Sequence, residues 1–358
     1  RGLGLPHAIL TWGEPDARKG GVQERARCAR YGLMAAYCHA HEIPALVTAH
    51  HVDDQAETFL MRLKRGSGLD GLAAIPEESV WAGITVSRPL LDIPKARLAA
   101  TLKHLGVKWV EDPSNADLRF ERVRVRTERD AFAKLGLQPE ALARSAKRLR
   151  RARAALERGT DEFLALHATV SEAGFCTIAR DPLAAAPEEI ALRALARVLE
   201  SVGGRAEPIR LSKLEALLAT LASYPEKTHT LGGCRIVPCQ GQFGVFREAR
   251  RAALPEIELK PGERALWDNR FRVELASGES APVAVCALGD RAREEIAAFP
   301  WLAALPRFAR IALPVCSRDG ALILPCLGSR PIVIGGAPRG FHAAFVGGSG
   351  ALGVAAAR

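Results

Sequence analysis

Aromatic residues are scarce in this sequence, only 6% of 358 residues. A platform of interleaved rings for stacking bases is therefore not expected. The 8 cysteines (Cys28, Cys38, Cys176, Cys234, Cys239, Cys286, Cys316 and Cys326) never form a Cys-x-x-Cys pair. Even the nearest two, Cys234 and Cys239, have the wrong spacing for a zinc knuckle. In a chain of this length that excludes a disulfide framework or zinc ribbon and points to free thiols in a reducing cytoplasm. No apolar run is long enough to cross a bilayer, and no leader is expected at the start, so no membrane partner is expected. Internal repeats are missing too. Negative charge is in deficit: 40 acidic against 50 basic residues leave +10, with a pI near 9.5. That balance favours an anionic partner, nucleic acid first. A basic enzyme rich in Arg and Ala is the plain alternative.

One stretch carries dense chemistry. The apolar run Ala45-Leu46-Val47-Thr48-Ala49 ends in His50 and His51, and Asp53, Asp54 and Glu57 follow at once. From Asp53 the pattern is helical, with Phe59, Leu60 and Leu63 apolar and Arg62, Lys64 and Arg65 polar. A strand that stops at a histidine and turns into an acid-rich helix places side chains at the carboxyl end of a parallel strand, where open α/β sheets bind ligands. The spacing i, i+4, i+7 predicts one face for His50, Asp54 and Glu57. The acids could also cap the helix and favour its dipole. Five ionisable groups at one junction favour a site over a cap. The site suits a cationic amine, a metal-bound nucleotide or both. A divalent-metal hydrolase stays open, since His and carboxylates also ligate metals.

Around this junction the chain alternates strand and helix: a strand over 7–12, a helix over 21–41 with Val22, Ala26, Ala29, Leu33 and Ala36 on one face, the key strand and helix, then a strand over 84–91. That predicts a parallel α/β sheet. Residues 127–227 read as helical, from stripes such as Leu192, Leu195, Val198 and Leu199. Residues 228–334 read as a small β-rich module punctuated by Gly and Pro, and 335–358 as a loose tail. Two arginine-rich segments stand out: Arg119 to Arg129, with Arg122, Arg124 and Arg126 two apart, and Arg144 to Arg153, with Arg148 and Arg151. Paired hydrogen bonds from guanidinium suit phosphate. The expectation is an RNA phosphate track of modest sequence preference, against a solvated helix face for the second segment.

The segment from Thr48 to Ile75 resembles the signature of the tRNA(Ile)-lysidine synthetase family, in the PP-loop ATP pyrophosphatase group. Further matches follow in order. Gln23-Glu24-Arg25-Ala26-Arg27-Cys28-Ala29-Arg30-Tyr31 is similar to the family's Gln-x-x-Ala-Arg-x-x-Arg-Tyr helix, and Arg88-Pro89-Leu90-Leu91 to its Arg-Pro-Leu-Leu strand. Asp112-Pro113-Ser114-Asn115 and Arg122-Val123-Arg124-Val125-Arg126 resemble its Asp-Pro-Ser-Asn and Arg-Asn-x-Ile-Arg elements, with Val123 in place of the frequent Asn. The close resemblance covers residues 6 to about 126. Beyond that it is loose, mainly at Leu231-Gly232-Gly233-Cys234-Arg235.

The resemblance implies a parallel Rossmann-like PP-loop sheet over 1–126, a helical tRNA-binding or linker region over 127–227, and the β-rich module after it. It implies ATP and Mg²⁺ as cofactors, and as partners free L-lysine and an isoleucine tRNA with a CAU anticodon. Asp54 and Glu57 would hold lysine's ammonium groups. Arg30 would meet the lysine carboxylate or the nucleotide, and His50 would sit beside the reacting centre. Arg122 would approach the adenylate or tRNA phosphate, and Asp53 could instead support Mg²⁺. The residues alone do not separate lysine from metal. The family's Ser-Gly-Gly-x-Asp-Ser phosphate loop has no counterpart in this sequence. The sheet is therefore expected to be incomplete at its amino end, and the chain alone to form no lysidine. A non-catalytic tRNA-binding remnant is one rival. A thiolating PP-loop enzyme is another, though that chemistry usually brings Cys-x-x-Cys pairs.

Overall fold

The computed structural model describes residues 4–13, 22–110, 117–205, 207–249, 253–318, 321–324, 326–327 and 341–346. The Asp-Pro-Ser-Asn element lies outside them, as does most of the tail. The chain forms two compact units, Arg1–Ala155 and Leu156–Arg358. It mixes helices with several sheets, and its carboxyl-terminal part is rich in β-structure.

In the first unit, α1 (Val22–Ala40) leads through Pro44 to β1 (Ala45–Val47). Then come α2 (Val52–Lys64), α3 (Leu69–Leu72), the hairpin β2 (Glu78–Trp81) and β3 (Ile84–Ser87), α4 (Lys95–His104), α5 (Glu121–Thr127), α6 (Arg129–Lys134) and α7 (Pro139–His167). The sheet order is β1-β3-β2, with β1 and β3 parallel and β2 antiparallel, so the sheet is mixed. Residues 7–12, expected as a strand, form none: no strand pairs with them among the described residues, and Ile9 is 83% exposed. On α1 the buried stripe is Tyr31, Ala35 and Cys38, with Ala36 exposed; Ala35 and Cys38 pack toward Leu46 and Ile84. The unit continues past 126 because Leu142 and Ala146 of α7 share one apolar cluster with Ala56 and Phe59 of α2.

The second unit is not helical throughout 156–227. Strands β4 (Ala168–Ser171) and β5 (Phe175–Ala179) precede α8 (Arg180–Ala185), α9 (Glu188–Gly203) and α10 (Leu211–Ser223). They join β6 (His229–Leu231), β7 (Cys234–Cys239) and β8 (Gln242–Arg247) in a sheet of order β4-β5-β8-β7-β6. Leu195, Val198 and Leu199 of α9 pack on Cys176, Ile236 and Val245 of that sheet. So the expected division at 227 runs through a single core. Gly204 ends α9 at φ +60, and a Cβ there would meet the Asp268 carbonyl at 2.2 Å, so only glycine fits.

Strands β9 (Ile257–Leu259), β10 (Arg264–Trp267), β11 (Phe271–Leu275), β12 (Val283–Ala287), β13 (Pro314–Arg318), β14 (Ala321–Ile323), β15 (Cys326–Leu327) and β16 (Phe341–Phe345) build two further four-stranded sheets. The tail is therefore not loose throughout. β16 pairs antiparallel with β11, and its Ala343 is buried among Trp267, Phe271 and Val273. No helix of the described residues is long and apolar enough to cross a membrane.

Candidate active site

Parallel pairing of β1 with β3 sets Val47 opposite Ser87, and the Thr48 N–H donates to the Ser87 carbonyl at 2.9 Å. Thr48–His50 and Arg88 thus leave the sheet side by side at its carboxyl edge, the crevice where such sheets hold ligands. Helix α2 starts two residues beyond His50, with His51 as its N-cap. Asp53 and Asp54 stand in its first turn and Arg62 and Lys64 in its last, both favourable to the dipole. His50 therefore lies outside the helix, and the expected single face for His50, Asp54 and Glu57 is not formed. The acids that share a face are Asp53 and Glu57, four residues apart.

Each acid is engaged. The His51 N–H donates to Asp54 Oδ2 at 3.0 Å, so Asp54 also caps its own helix. Asp53, 7% exposed, accepts from the Lys95 N–H at 2.9 Å through Oδ2, and Arg129 Nη1 stands 2.8 Å from its Oδ1. Glu57, 6% exposed, accepts from Arg126 through both oxygens, Nε to Oε1 at 2.7 Å and Nη2 to Oε2 at 3.1 Å. Arg122 Nε is 3.4 Å from Oε2. Further along α2, Arg65 and Lys64 pair with Glu121. Helices α2 and α5–α6 thus run antiparallel, joined by a ladder of ion pairs.

That ladder bears on Asp53 and on the arginines of α5. Asp53, the possible Mg²⁺ support, accepts from a backbone amide through Oδ2, while its buried Oδ1, 2.8 Å from Arg129 Nη1, has no hydrogen-bond partner among the described residues. Among the described residues no group of three or more His, Cys, Asp or Glu is placed to hold a metal ion. Arg122, Arg124 and Arg126 are helical and spread around the helix, so Arg122 and Arg126 face Glu57 while Arg124 donates to the Leu118 and Arg119 carbonyls at 2.9 Å. Val123, in the place of the frequent Asn, is buried.

His50 Nδ1 shares a 2.9 Å hydrogen bond with Thr48 Oγ1. Burial pushes its pKa below the usual 6.5, and the charges of Arg88, Arg27 and Arg122 push the same way, against Asp54. Burial and these arginines thus favour the neutral form of His50. Arg88 is buried and donates to the Pro76 carbonyl at 3.1 Å and to Ser79 Oγ at 3.0 Å. Sequence reasoning missed Arg27 and Arg88. Their signals were there: Arg27 lies one turn before Arg30, and Arg88 follows the strand that pairs with β1. Arg30 itself is exposed, its guanidinium 5.9 Å from the Tyr31 ring centroid.

Beside Asp53 and Glu57 lies a cavity of about 100 Å³. Ala56, Leu60, Val125, Phe132 and Leu142 form apolar walls, and His51, Lys95, Arg126 and Arg129 complete the lining. Acids at one side of an apolar slot can hold an alkylammonium chain. The second arginine segment splits into two rows of α7. Lys147, Arg150 and Arg153 pair with Asp92, Glu77 and Asp70. Arg144, Arg148 and Arg151 face solvent.

Comparison with known proteins adds an independent line. The PP-loop domain family matches residues 1–129. A tRNA(Ile)-lysidine synthase of Methylobacterium nodulans is 43% identical over 258 residues, 70% of this chain and 76% of that protein. The Ruegeria pomeroyi protein of the same name is 37% identical over 271 residues, 75% of this chain and 62% of the relative. One from the Wolbachia of Brugia malayi is 30% identical over 325 residues, 88% and 73% respectively.

Proposed function

The chain belongs to the tRNA(Ile)-lysidine synthase family, and from that premise we propose that it serves tRNA modification, ligating lysine to the wobble cytidine of an isoleucine tRNA with a CAU anticodon. PP-loop membership brings ATP as a substrate. ATP supplies the adenylyl group that the ring carbonyl oxygen of the cytidine takes up, with pyrophosphate leaving. An amine of lysine then attacks the activated carbon, and AMP leaves with the oxygen.

The observation that carries this reading is the buried Glu57 carboxylate beside an apolar slot. It already holds a cation, the Arg126 guanidinium. A lysine ammonium competes for the same carboxylate, with Asp54 as second acid, and its alkyl chain matches walls such as Leu60 and Phe132. Arg122 and Arg126, once relieved of Glu57, turn to the phosphates. Arg30, exposed on α1, meets the nucleotide or the lysine carboxylate. His50, neutral at pH 7, takes the proton of the attacking amine. Its Nδ1 is occupied by Thr48, which leaves Nε2 for that task. Arg148 and Arg151 extend the positive surface for RNA. Asp53, whose buried Oδ1 lacks a hydrogen-bond partner among the described residues, would be the residue to support Mg²⁺, and no step is assigned to the ion. The free thiols of the described cysteines fit a cytoplasmic enzyme.

The test is transfer of labelled lysine to isoleucine tRNA transcripts, with pyrophosphate release as second readout. Both the chain and the chain preceded by a segment carrying the family's Ser-Gly-Gly-x-Asp-Ser loop are assayed. Lysine-dependent product from the extended protein is expected. No product from either protein, with ATP and lysine in excess, would refute the reading.

A further inference from the structure

Away from the acids, the face of α1 carries a second arrangement of aromatic and basic groups. Strands β2 and β3 join through the two-residue turn Ala82-Gly83, with φ +47 and +80, and Trp81 pairs with Ile84 across it. Positive φ at both central positions is the tight hairpin geometry that matches strand twist. The turn is pinned to α1, because His39 Nε2 lies 2.8 Å from the Ala82 carbonyl. The indole of Trp81 is thereby presented from a rigid tip. One side rests on Tyr31, with ring centroids 5.5 Å apart and planes tilted by 44°. Tyr31 is 4% exposed and serves as backing, whereas Trp81 remains 38% exposed.

Two guanidiniums border the rings. Arg27 Cζ lies 5.1 Å and Arg30 Cζ 5.9 Å from the Tyr31 centroid. Unlike Arg122, Arg126 and Arg129, neither is paired with a carboxylate among the described residues. Trp81, opposite Ile84, stands at the other end of β3 from Ser87 and the crevice, and α1 runs from the indole back toward it. Arg27 is one turn of α1, about 6 Å, from Tyr31, and its charge is among those felt at His50. An open indole beside two uncompensated guanidiniums matches an unpaired nucleotide, whose base offers a π-face and whose backbone offers phosphate. An apolar peptide would satisfy the ring and leave the arginines without partners.

We propose that Trp81, backed by Tyr31 and bordered by Arg27 and Arg30, is a stacking seat for an unpaired base of the RNA substrate, flanking the one modified. The proposal rests on the RNA-modifying function above and adds a subsite that holds the flanking strand while the target base enters the crevice. It also revises the expectation from composition, because one well-placed indole serves where interleaved aromatics are lacking.

The experiment uses the full chain, an anticodon stem-loop RNA, and inorganic polyphosphate as an anion without bases. Stacking a base is worth about 1–3 kcal/mol on truncation to alanine, so Trp81→Ala should raise the RNA dissociation constant by about 5- to 150-fold. The dependence on salt should not change, since every phosphate keeps its cationic partner. Trp81→Phe should stay within about threefold of the parent, because a ring remains to stack on the base. The difference in fluorescence between the parent and Trp81→Phe isolates this indole, and RNA should quench it where polyphosphate does not. Unchanged affinity in Trp81→Ala, or equal quenching by polyphosphate, would overturn the seat and leave the RNA function standing. Should Trp81→Ala fail to fold, Trp81→Phe and the quenching comparison still decide. A parent chain that binds no RNA would refute the function itself, and the seat with it. Self-association that Trp81→Ala abolishes would make this face an interface between copies and overturn the seat.

Discussion

Arg126 grips Glu57 through two parallel hydrogen bonds, and it does so from a helix that starts 64 residues further along the chain than Glu57 (121 − 57 = 64). A bidentate pair with one carboxylate almost wholly buried is geometrically specific and shielded from solvent. It also occupies the group best placed to read a substrate ammonium. In the proposed reading, lysine and Arg126 are rivals for one acid. In the extended protein, replacing Glu57 by Gln should raise the KM for lysine about 10- to 100-fold, the worth of one charge-assisted hydrogen bond, and alter the KM for ATP far less. Replacing Arg126 by Gln should tighten lysine binding to the nucleotide-free protein, as calorimetry would show. Weaker binding in that variant would make Arg126 part of the lysine site and end the rivalry.

The solvent-facing row of α7 predicts a salt effect. Arg148 and Arg151 are exposed and without ion-pair partners among the described residues, whereas Lys147 is tied to Asp92 at 2.9 Å. Reversing Arg148 and Arg151 to Glu should flatten the plot of log affinity for tRNA against log salt by about 0.9 for each phosphate no longer neutralised. Lys147→Gln should leave the slope where it was. Equal slopes in all three proteins would make the outer row solvated surface.

The junction of β1 and α2 was legible because its signals are local: an apolar run, a histidine, acids in a first turn, bases in a last. The ladder between α2 and α5–α6 was not, since nothing in a run of arginines says whether RNA or a distant carboxylate neutralises them. Arg122, Arg124 and Arg126 looked like neighbours at spacing two, and the helix sends the middle one elsewhere. The strand over 7–12 failed for the opposite reason, because a short apolar run makes no strand without a partner. β16 was hidden in a Gly- and Ala-rich tail, since the pairing that orders it comes from β11, about 70 residues earlier (341 − 271 = 70). Trp81 was invisible as a site because its meaning depends on the tight turn and on Tyr31.

His50 predicts a pH response. Its pKa lies below 6.5 because of burial first, then Arg88, Arg27 and Arg122, with Asp54 opposing. As the pH falls, the unfolded chain takes up this proton before the folded one does. The group therefore reduces stability progressively from about pH 6.5 down to its folded value, and is without effect above that window. Activity that needs neutral His50 should persist somewhat below pH 6.5. Asp54→Asn should move the acid limb to lower pH, and Arg122→Gln to higher pH. A titration of the His50 ring signal by NMR, assigned with His50→Gln, checks both directions. A limb that ignores both variants would remove His50 from the proton transfer.

In the second unit the decisive group is Arg270, fully buried at 0% exposure. Its Nε donates to Asp268 Oδ2 at 2.7 Å, its Nη1 to the Gly174 carbonyl at 3.3 Å and its Nη2 to the Ala312 carbonyl at 3.0 Å. The same carboxylate accepts from Arg247 at 3.0 and 3.1 Å. One guanidinium thus ties the β4–β5 turn, the β10–β11 turn and the approach to β13, with Asp268 as counter-charge to two arginines. Asp268 sits at φ +49, a conformation that Asn tolerates, so Asp268→Asn removes the charge without backbone strain. Breaking a buried pair from one side leaves the other charge uncompensated, a loss of about 3–5 kcal/mol. Thermal unfolding of Asp268→Asn should accordingly begin well below that of the parent, with RNA binding by the first unit preserved at low temperature. Replacing both partners, Asp268→Asn with Arg270→Met, should recover part of the loss, because no unpaired buried charge remains at 270. A double variant less stable than the single one would mean that the hydrogen bonds of Arg270 to the two carbonyls, rather than its pairing with Asp268, hold these turns together.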